Sequence, residues 1–275
     1  EVLSNIDMNS YIDIVKSIKK YIFEGDFIQV VPSQRLQRRI NVPAIEIYKS
    51  LREINPSPYM YFLNFGDFQV AGASPEMLTK VQDGIVSTHP IAGTRPRGEN
   101  DLEDIQMEKD LLSDPKEIAE HIMLVDLGRN DLGRVAKFSS VEVNERFTVE
   151  RYSHVMHIVS EVDGLLSVGK DVLDLLMAAF PAGTVSGAPK IRAMQLINKL
   201  ESQVRGPYSG VYGSLDLNGA LNTAITIRTM FVRCHPEGGW LMEVQAGAGV
   251  VADSIPTAEY QETLNKAKGM LTALA

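Results

Sequence analysis

The run YSGVYGSLDLNGALNTAITIRTM, residues 208–230, sets two β-rich arms about the dipeptide Asn218-Gly219. Asn-Gly suits a two-residue type I′ turn, so the arms read as an antiparallel hairpin. Strand-like runs also occur side by side elsewhere, as in YMYFLNFG followed by FQVAGAS. Short strands are expected around Leu78 and Val86 after a turn at Pro75-Glu76, and SHVMHIVSEVDG alternates with period two. Helical patterns fall between these hairpins instead of alternating with single strands. That order predicts an α+β fold of large, mostly antiparallel sheets flanked by helices.

Tyr11, Ile14, Val15, Ile18 and Ile22 form an apolar stripe, which predicts a helix over Ser10–Glu24 ended by Gly25. FIQVVPSQRL reads as a buried strand interrupted by Pro32, and Pro43 opens a helix over AIEIYKSLREI. IAGTRPRGEN, rich in Gly, Pro and Arg, is expected to be a loop. Asp101–Asn130 has a helical pattern, with Asp114, Pro115 and Glu117 as N-cap, first-turn proline and capping-box acid. Helices are expected over Asp171–Phe180, over Pro189–Leu200 and from Pro256 onward, the last preceded by the strand WLMEVQAGAGVVA. No repeat or long linker breaks the chain, so residues 1–275 are expected to form one domain.

Lys and Arg number 27 against 35 Asp and Glu, a net charge of -8. An acidic chain lacks the basic footprint of a nucleic-acid surface, and the run RLQRR reads as a solvated strand edge. No apolar run approaches the roughly 20 residues that span a bilayer, and no secretory leader is expected. Cys234 is the single cysteine, which excludes an internal disulfide and fits a reducing compartment, most simply the cytoplasm. The first residue is Glu1, so an upstream part is expected to have been removed or not included.

Glu259 and Glu262 are three apart and Lys266 follows four later, placing all three on one helix face. An exposed face with a Glu–Lys pair is one reading. Glu117 and Glu120 repeat the spacing on a second predicted helix, and two such pairs can cage one hard divalent cation. Glu117 can alternatively serve its capping box. QAGAGVV is not a dinucleotide fingerprint, but Gly247 and Gly249 allow a ligand to approach the backbone closely. AGTVSGAPK lacks the P-loop ending, and serves equally as a helix start for an anion or a tight turn. His154 and His157 fall on opposite faces of a strand and are no metal pair. Cys234 has no catalytic context. Arg228, in an otherwise apolar run, needs a carboxylate partner from the protein or a ligand.

PIAGTRPRG, DLGRNDLGRV, FPAGTVSGAPKIRAM, NTAITIRTM and QAGAGVVADS…AEYQET, in this order, resemble the chorismate-utilising enzymes. Within them the chain resembles the catalytic part of the anthranilate synthase large subunit, from about Tyr11 to Leu274. The resemblance implies an anthranilate synthase-like chorismate-binding fold. It implies a Mg²⁺ site at Glu117, Glu120, Glu259 and Glu262 that receives the ring carboxylate of chorismate, with Lys266 close by. Arg228 and Tyr208 match residues that bind the enolpyruvyl carboxylate, and Thr184 matches a substrate-contacting threonine. Gly247, Ala248 and Gly249 match the backbone against the substrate. Glu76 matches the general acid at the departing C4 hydroxyl, and His157 the histidine linked to pyruvate loss.

Gln29 stands where family members that add water carry a lysine base, which points to ammonia as nucleophile. Ala92, in PIAGT, stands where enzymes that aminate C4 carry lysine, which points to C2. Asn55, Pro56, Ser57, Pro58, Tyr59 and Met60 resemble part of a tryptophan feedback pocket, whose other half lies in an N-terminal part that has no counterpart here. The implied product is anthranilate, made in tryptophan biosynthesis with ammonia from a separate glutamine amidotransferase subunit in a hetero-oligomer. Synthesis of 2-amino-2-deoxyisochorismate, synthesis of aminodeoxychorismate, and a binding fragment without turnover remain the alternatives.

Overall fold

Antiparallel pairing builds the sheets, as the hairpin-rich sequence requires. The structure, a computed structural model, describes residues 1–152 and 155–273. The chain begins β1 (Leu3–Ser4), α1 (Met8–Phe23), β2 (Gln29–Val30), β3 (Ser33–Ile40), α2 (Ala44–Ile54), β4 (Tyr59–Asn64) and β5 (Phe68–Ser74). It continues through β6 (Met77–Gln82), β7 (Ile85–Thr88), β8 (Ile91–Pro96), α3 (Asp101–Ser113), α4 (Pro115–Gly133), β9 (Glu142–Arg151), β10 (Val155–Leu165) and α5 (Val172–Ala179). It ends with β11 (Gly187–Ala188), α6 (Lys190–Leu200), β12 (Val211–Leu215), β13 (Leu221–Ile225), β14 (Thr229–Cys234), β15 (Trp240–Gly247) and α7 (Pro256–Thr272).

Two compact units divide these elements. The first comprises Glu1–Pro75, Pro181–Tyr212 and Ile225–Ala275. Its sheet has the order β1-β3-β15-β14-β5-β4, with β2 and β11 forming a separate ribbon. Ile47 and Leu51 of α2, Met230 and Val232 of β14, Met242 and Val244 of β15, and Met270 of α7 are buried in one cluster. Burying each such side chain contributes roughly 1.5–3 kcal/mol. A second cluster joins Tyr11, Val15 and Ile18 of α1 to Ala193, Leu196 and Ile197 of α6. The helix α1 starts earlier than the apolar stripe implies, because Asp7 accepts hydrogen bonds from the Asn9 and Ser10 amides.

The second unit comprises Glu76–Phe180 and Gly213–Ala224, with the sheet order β12-β13-β6-β7-β10-β8 and β9 paired to β10. Val81, Val86, Leu132, Val162, Leu175 and Leu221 share a buried cluster. Leu111, Met156 and Ile158 share another.

Several expectations need correction. Residues 91–96 of the expected loop are strand β8, paired to β10 with a register shift near Gly93, whose φ is +68°. The glycine serves the irregularity and Pro96 closes the strand. The expected helix over Asp101–Asn130 is two helices, broken at Asp114, which caps α4 by accepting from the Lys116 and Glu117 amides. Glu117 closes no capping box, because the Asp114 amide already bonds Leu111 O and the Glu117 carboxylate pairs with Arg95. The turn after β12 is not type I′: Gly219 has φ +84°, Asn218 is not left-handed, and the Gly219 amide bonds Asp216 O. That is a type I turn followed by a left-handed glycine. RLQRR lies in β3, where the short β1 pairs with Leu36 and Gln37 on the side away from β15, so the solvated edge is confined to the end of the run, where Arg39 is exposed. The strand β9 carried no expectation. His154 lies outside the described residues.

Candidate active site

In the first unit, residues 29–32, Tyr208 and Lys266 meet around Gly247–Gly249. Ala248 N donates to Pro32 O at 3.2 Å, and Val250 and Val30 exchange amide bonds. A Cβ on Gly249 would collide with the Gln29 carboxamide nitrogen. One on Gly247 would lie 2.7 Å from the Tyr208 hydroxyl. A side chain at Gly249 would have to push the Gln29 carboxamide aside, and one at Gly247 would also meet the Pro32 carbonyl at 2.8 Å. Lys266 of α7 donates to Gly247 O at 3.1 Å and pairs with Glu262 at 2.7 Å. The expected Glu–Lys pair therefore forms, and the same lysine reaches the glycine strand. Glu259, one turn earlier, is buried, whereas Glu262 is exposed.

Two further side chains belong to the same unit. The Thr184 hydroxyl, in the turn before β11, is buried and makes no hydrogen bond among the described residues. Arg228 is half-buried and has no carboxylate within ion-pair distance among the described residues. Burial lowers its pKa, opposed by the fields of Glu262 and Tyr208. Its backbone φ of +50° is left-handed, a conformation rare outside glycine. Neighbouring bonds fix it: Arg228 O accepts from Ala73 N at 3.0 Å, and Thr229 Oγ1 donates to Ile227 O at 2.8 Å.

Other expected residues of this unit sit apart. Asn55 ends α2, and Tyr59 and Met60 open β4. Burial raises the Tyr59 pKa, and Met60 packs on the α2–α7 cluster. Pro56 and Pro58 are exposed and Ser57 is half-buried.

In the second unit, His157 of β10 places Nδ1 2.9 Å from Gly93 O and 3.1 Å from Thr94 Oγ1. A carbonyl can only accept, so Nδ1 carries the proton of the neutral ring and Nε2 is the basic nitrogen. Ala92 is buried on β8 beside this contact. Glu76 is half-buried at the start of β6. Glu117 and Glu120 share a face of α4, and Arg95 bridges Glu117 at 3.1 Å, Asp114 at 2.8 Å and Asp110 at 2.6 Å.

Among the described residues, no three His, Cys, Asp or Glu side chains gather as a metal-holding group. The donor chemistry nevertheless fits a hard cation: each helix offers two carboxylates one turn apart. One member of each pair is already neutralised, Glu262 by Lys266 and Glu117 by Arg95.

The family profile for chorismate binding enzymes matches residues 1–272. The chain belongs to the chorismate binding enzyme family. It is 58% identical over 276 residues to anthranilate synthase component 1 of Synechocystis sp., covering 98% of this chain and 54% of that protein. It is 54% identical over 271 residues to the component 1 of Aquifex aeolicus, again covering 98% and 54%. The chain thus spans about half the length of these relatives. Crystal-structure neighbours agree on the fold. Anthranilate synthase component I of Streptococcus pneumoniae superposes with TM-score 0.91 at 46% identity, over 98% of this chain and 59% of that one. The menaquinone-specific isochorismate synthase of Escherichia coli gives 0.90 at 26% identity, over 100% and 63%. The expected α+β chorismate-binding architecture is what this family member forms.

Sequence reasoning passed over Glu201 and Arg205, which pair bidentately at 2.7 and 2.9 Å beneath Tyr208. Their i,i+4 spacing was a signal, but nothing local told that the pair would be buried.

Proposed function

We propose that the protein converts chorismate to anthranilate, adding ammonia at C2 and eliminating pyruvate, as the catalytic part of an anthranilate synthase large subunit. The observation that carries this reading is a set of side chains in the first unit. Among the described residues Arg228 has no carboxylate within ion-pair distance and the buried Thr184 hydroxyl makes no hydrogen bond, and both belong to the unit that holds the Gly247–Gly249 backbone. A small dianion is the ligand such groups suit.

Arg228 and Tyr208 bind the enolpyruvyl carboxylate, and Thr184 donates its hydroxyl to the substrate. Lys266 offers its remaining N–H bond to the ring carboxylate. Gln29 cannot deprotonate water, so the nucleophile is ammonia, which needs no base to attack C2. Glu76 gives its proton to the C4 hydroxyl as that group leaves, since hydroxide is a poor leaving group. His157 Nε2 takes the C2 proton as the ring C3–O bond breaks and the ring becomes aromatic; the released enolpyruvate gains a proton at its methylene carbon to become pyruvate. Glu117, Glu120, Glu259 and Glu262 are the residues that would hold Mg²⁺. Bound there, the cation would supply the positive charge that draws a dicarboxylate to an acidic protein.

Relatives named component 1 support a second component, proposed here as a glutamine amidotransferase that delivers the ammonia. Residues 55–60 are proposed as part of a tryptophan feedback pocket, to be tested by adding tryptophan to the assay; unaltered turnover rejects it. The lone Cys234 supports work in the reducing cytoplasm.

The test is product identity by mass, from chorismate, Mg²⁺ and ammonium salt. Anthranilate is predicted. Accumulated 2-amino-2-deoxyisochorismate or aminodeoxychorismate would contradict the assigned route. Glu262→Gln is expected to abolish turnover with an unchanged circular dichroism spectrum; retained turnover would remove the metal assignment.

A further inference from the structure

The Arg205 guanidinium is enclosed, its side chain 14% exposed and that of its partner Glu201 8%. Its nitrogens reach three separate segments. Nε donates to Glu201 Oε2 at 2.9 Å, and Nη2 donates to Glu201 Oε1 at 2.7 Å and to Val31 O at 2.7 Å. Nη1 donates to Val185 O at 2.6 Å and lies 3.4 Å from Ser209 Oγ. The guanidinium carbon sits 5.4 Å from the Tyr208 ring centroid. Glu201 also accepts from Ser33 N at 2.9 Å and Ser33 Oγ at 2.8 Å, and Gln245 donates to that same hydroxyl at 2.7 Å.

The carbonyls held are informative. Val185 follows Thr184 directly, Val31 lies two residues beyond Gln29, and the ring covered is Tyr208. We infer that Arg205, clamped by Glu201, is a positioning residue that holds Thr184, Gln29 and Tyr208 in register for the substrate without touching it. The inference rests on the chorismate reading above. All the groups bonded lie in one unit, and every guanidinium nitrogen has an acceptor. A lysine keeps the charge but cannot reproduce a planar fork that meets a carboxylate and two carbonyls at once. Burial makes the arrangement all-or-none, because a severed pair leaves the other charge in a low-dielectric interior.

The test compares wild type, Arg205→Lys and Glu201→Gln by chorismate titration calorimetry with Mg²⁺ and by steady-state kinetics with ammonium. Arg205→Lys is expected to raise the chorismate Kd and KM at least about tenfold, with kcat changed less than about threefold. Near-UV circular dichroism should match wild type. Glu201→Gln, which keeps shape and removes charge, is expected to raise KM in the same sense and carries the test if Arg205→Lys fails to fold. Wild-type Kd and KM in a folded variant would overturn the inference, as would an equal loss in kcat with KM unchanged. Absence of chorismate binding by the wild-type protein would overturn the substrate reading itself.

Discussion

A buried hydroxyl without a hydrogen bond lowers stability by roughly 1–3 kcal/mol, and among the described residues the Thr184 hydroxyl has none. Thr184→Val is therefore expected to leave the unfolding free energy unchanged or slightly higher, while chorismate affinity falls about tenfold. Thermal unfolding and calorimetry read the two effects, and a parallel loss of both would assign the hydroxyl to the fold. Gly249→Ala acts through a neighbour: the added methyl must displace the Gln29 carboxamide, so ammonia-dependent turnover should fall about tenfold or more with little change in melting temperature. Unimpaired turnover would mean that Gln29 has no part in the reaction. At this scale the sequence marked Arg228 as a charge in an apolar run, and the residue is half-buried. The sequence was illegible where the role depends on contacts far along the chain, as with Arg205 and Val31.

The segment after β8 shows how an element is fixed by charge. Arg97 forks onto Asp104, which also accepts from the Gly98 amide at 2.7 Å. The Arg97 guanidinium holds the Asp104 carboxyl down from the usual 3.8 to about 2. A depressed folded-state pKa stabilises the fold wherever the unfolded carboxyl would be ionised, and that contribution is lost as pH falls from about 4 to 2. Asp104→Asn should lower the melting temperature at pH 7, with the difference from wild type vanishing near pH 2. A pH-independent difference would mean that the charge is irrelevant. Helix positions were largely readable from apolar spacing and caps, as α2 behind Pro43 shows. The strand β8 was hidden by its glycine and proline, and β9 by a largely exposed, charged pattern that lacks a clean apolar face. Tertiary pairing to β10 decided both.

Across the whole molecule, the antiparallel class was visible in the hairpin signals, but the division into two units was not. Gly213–Ala224 joins a unit whose main body is Glu76–Phe180, and β13 pairs with β6 across a long stretch of chain. No local pattern encodes such a return. Each unit has its own buried clusters, so Leu51→Ala in the first and Leu132→Ala in the second should each cost about 2–5 kcal/mol. Denaturant unfolding measures this, and a loss below about 1 kcal/mol would mean that the cluster is not well packed.

The most direct test of the central claim is anthranilate fluorescence from the purified chain mixed with chorismate, Mg²⁺ and concentrated ammonium salt at mildly alkaline pH, with no second component added. The account predicts a steady rise in fluorescence that stops when the Mg²⁺ is chelated. A well-folded protein that binds chorismate yet yields no anthranilate would contradict it.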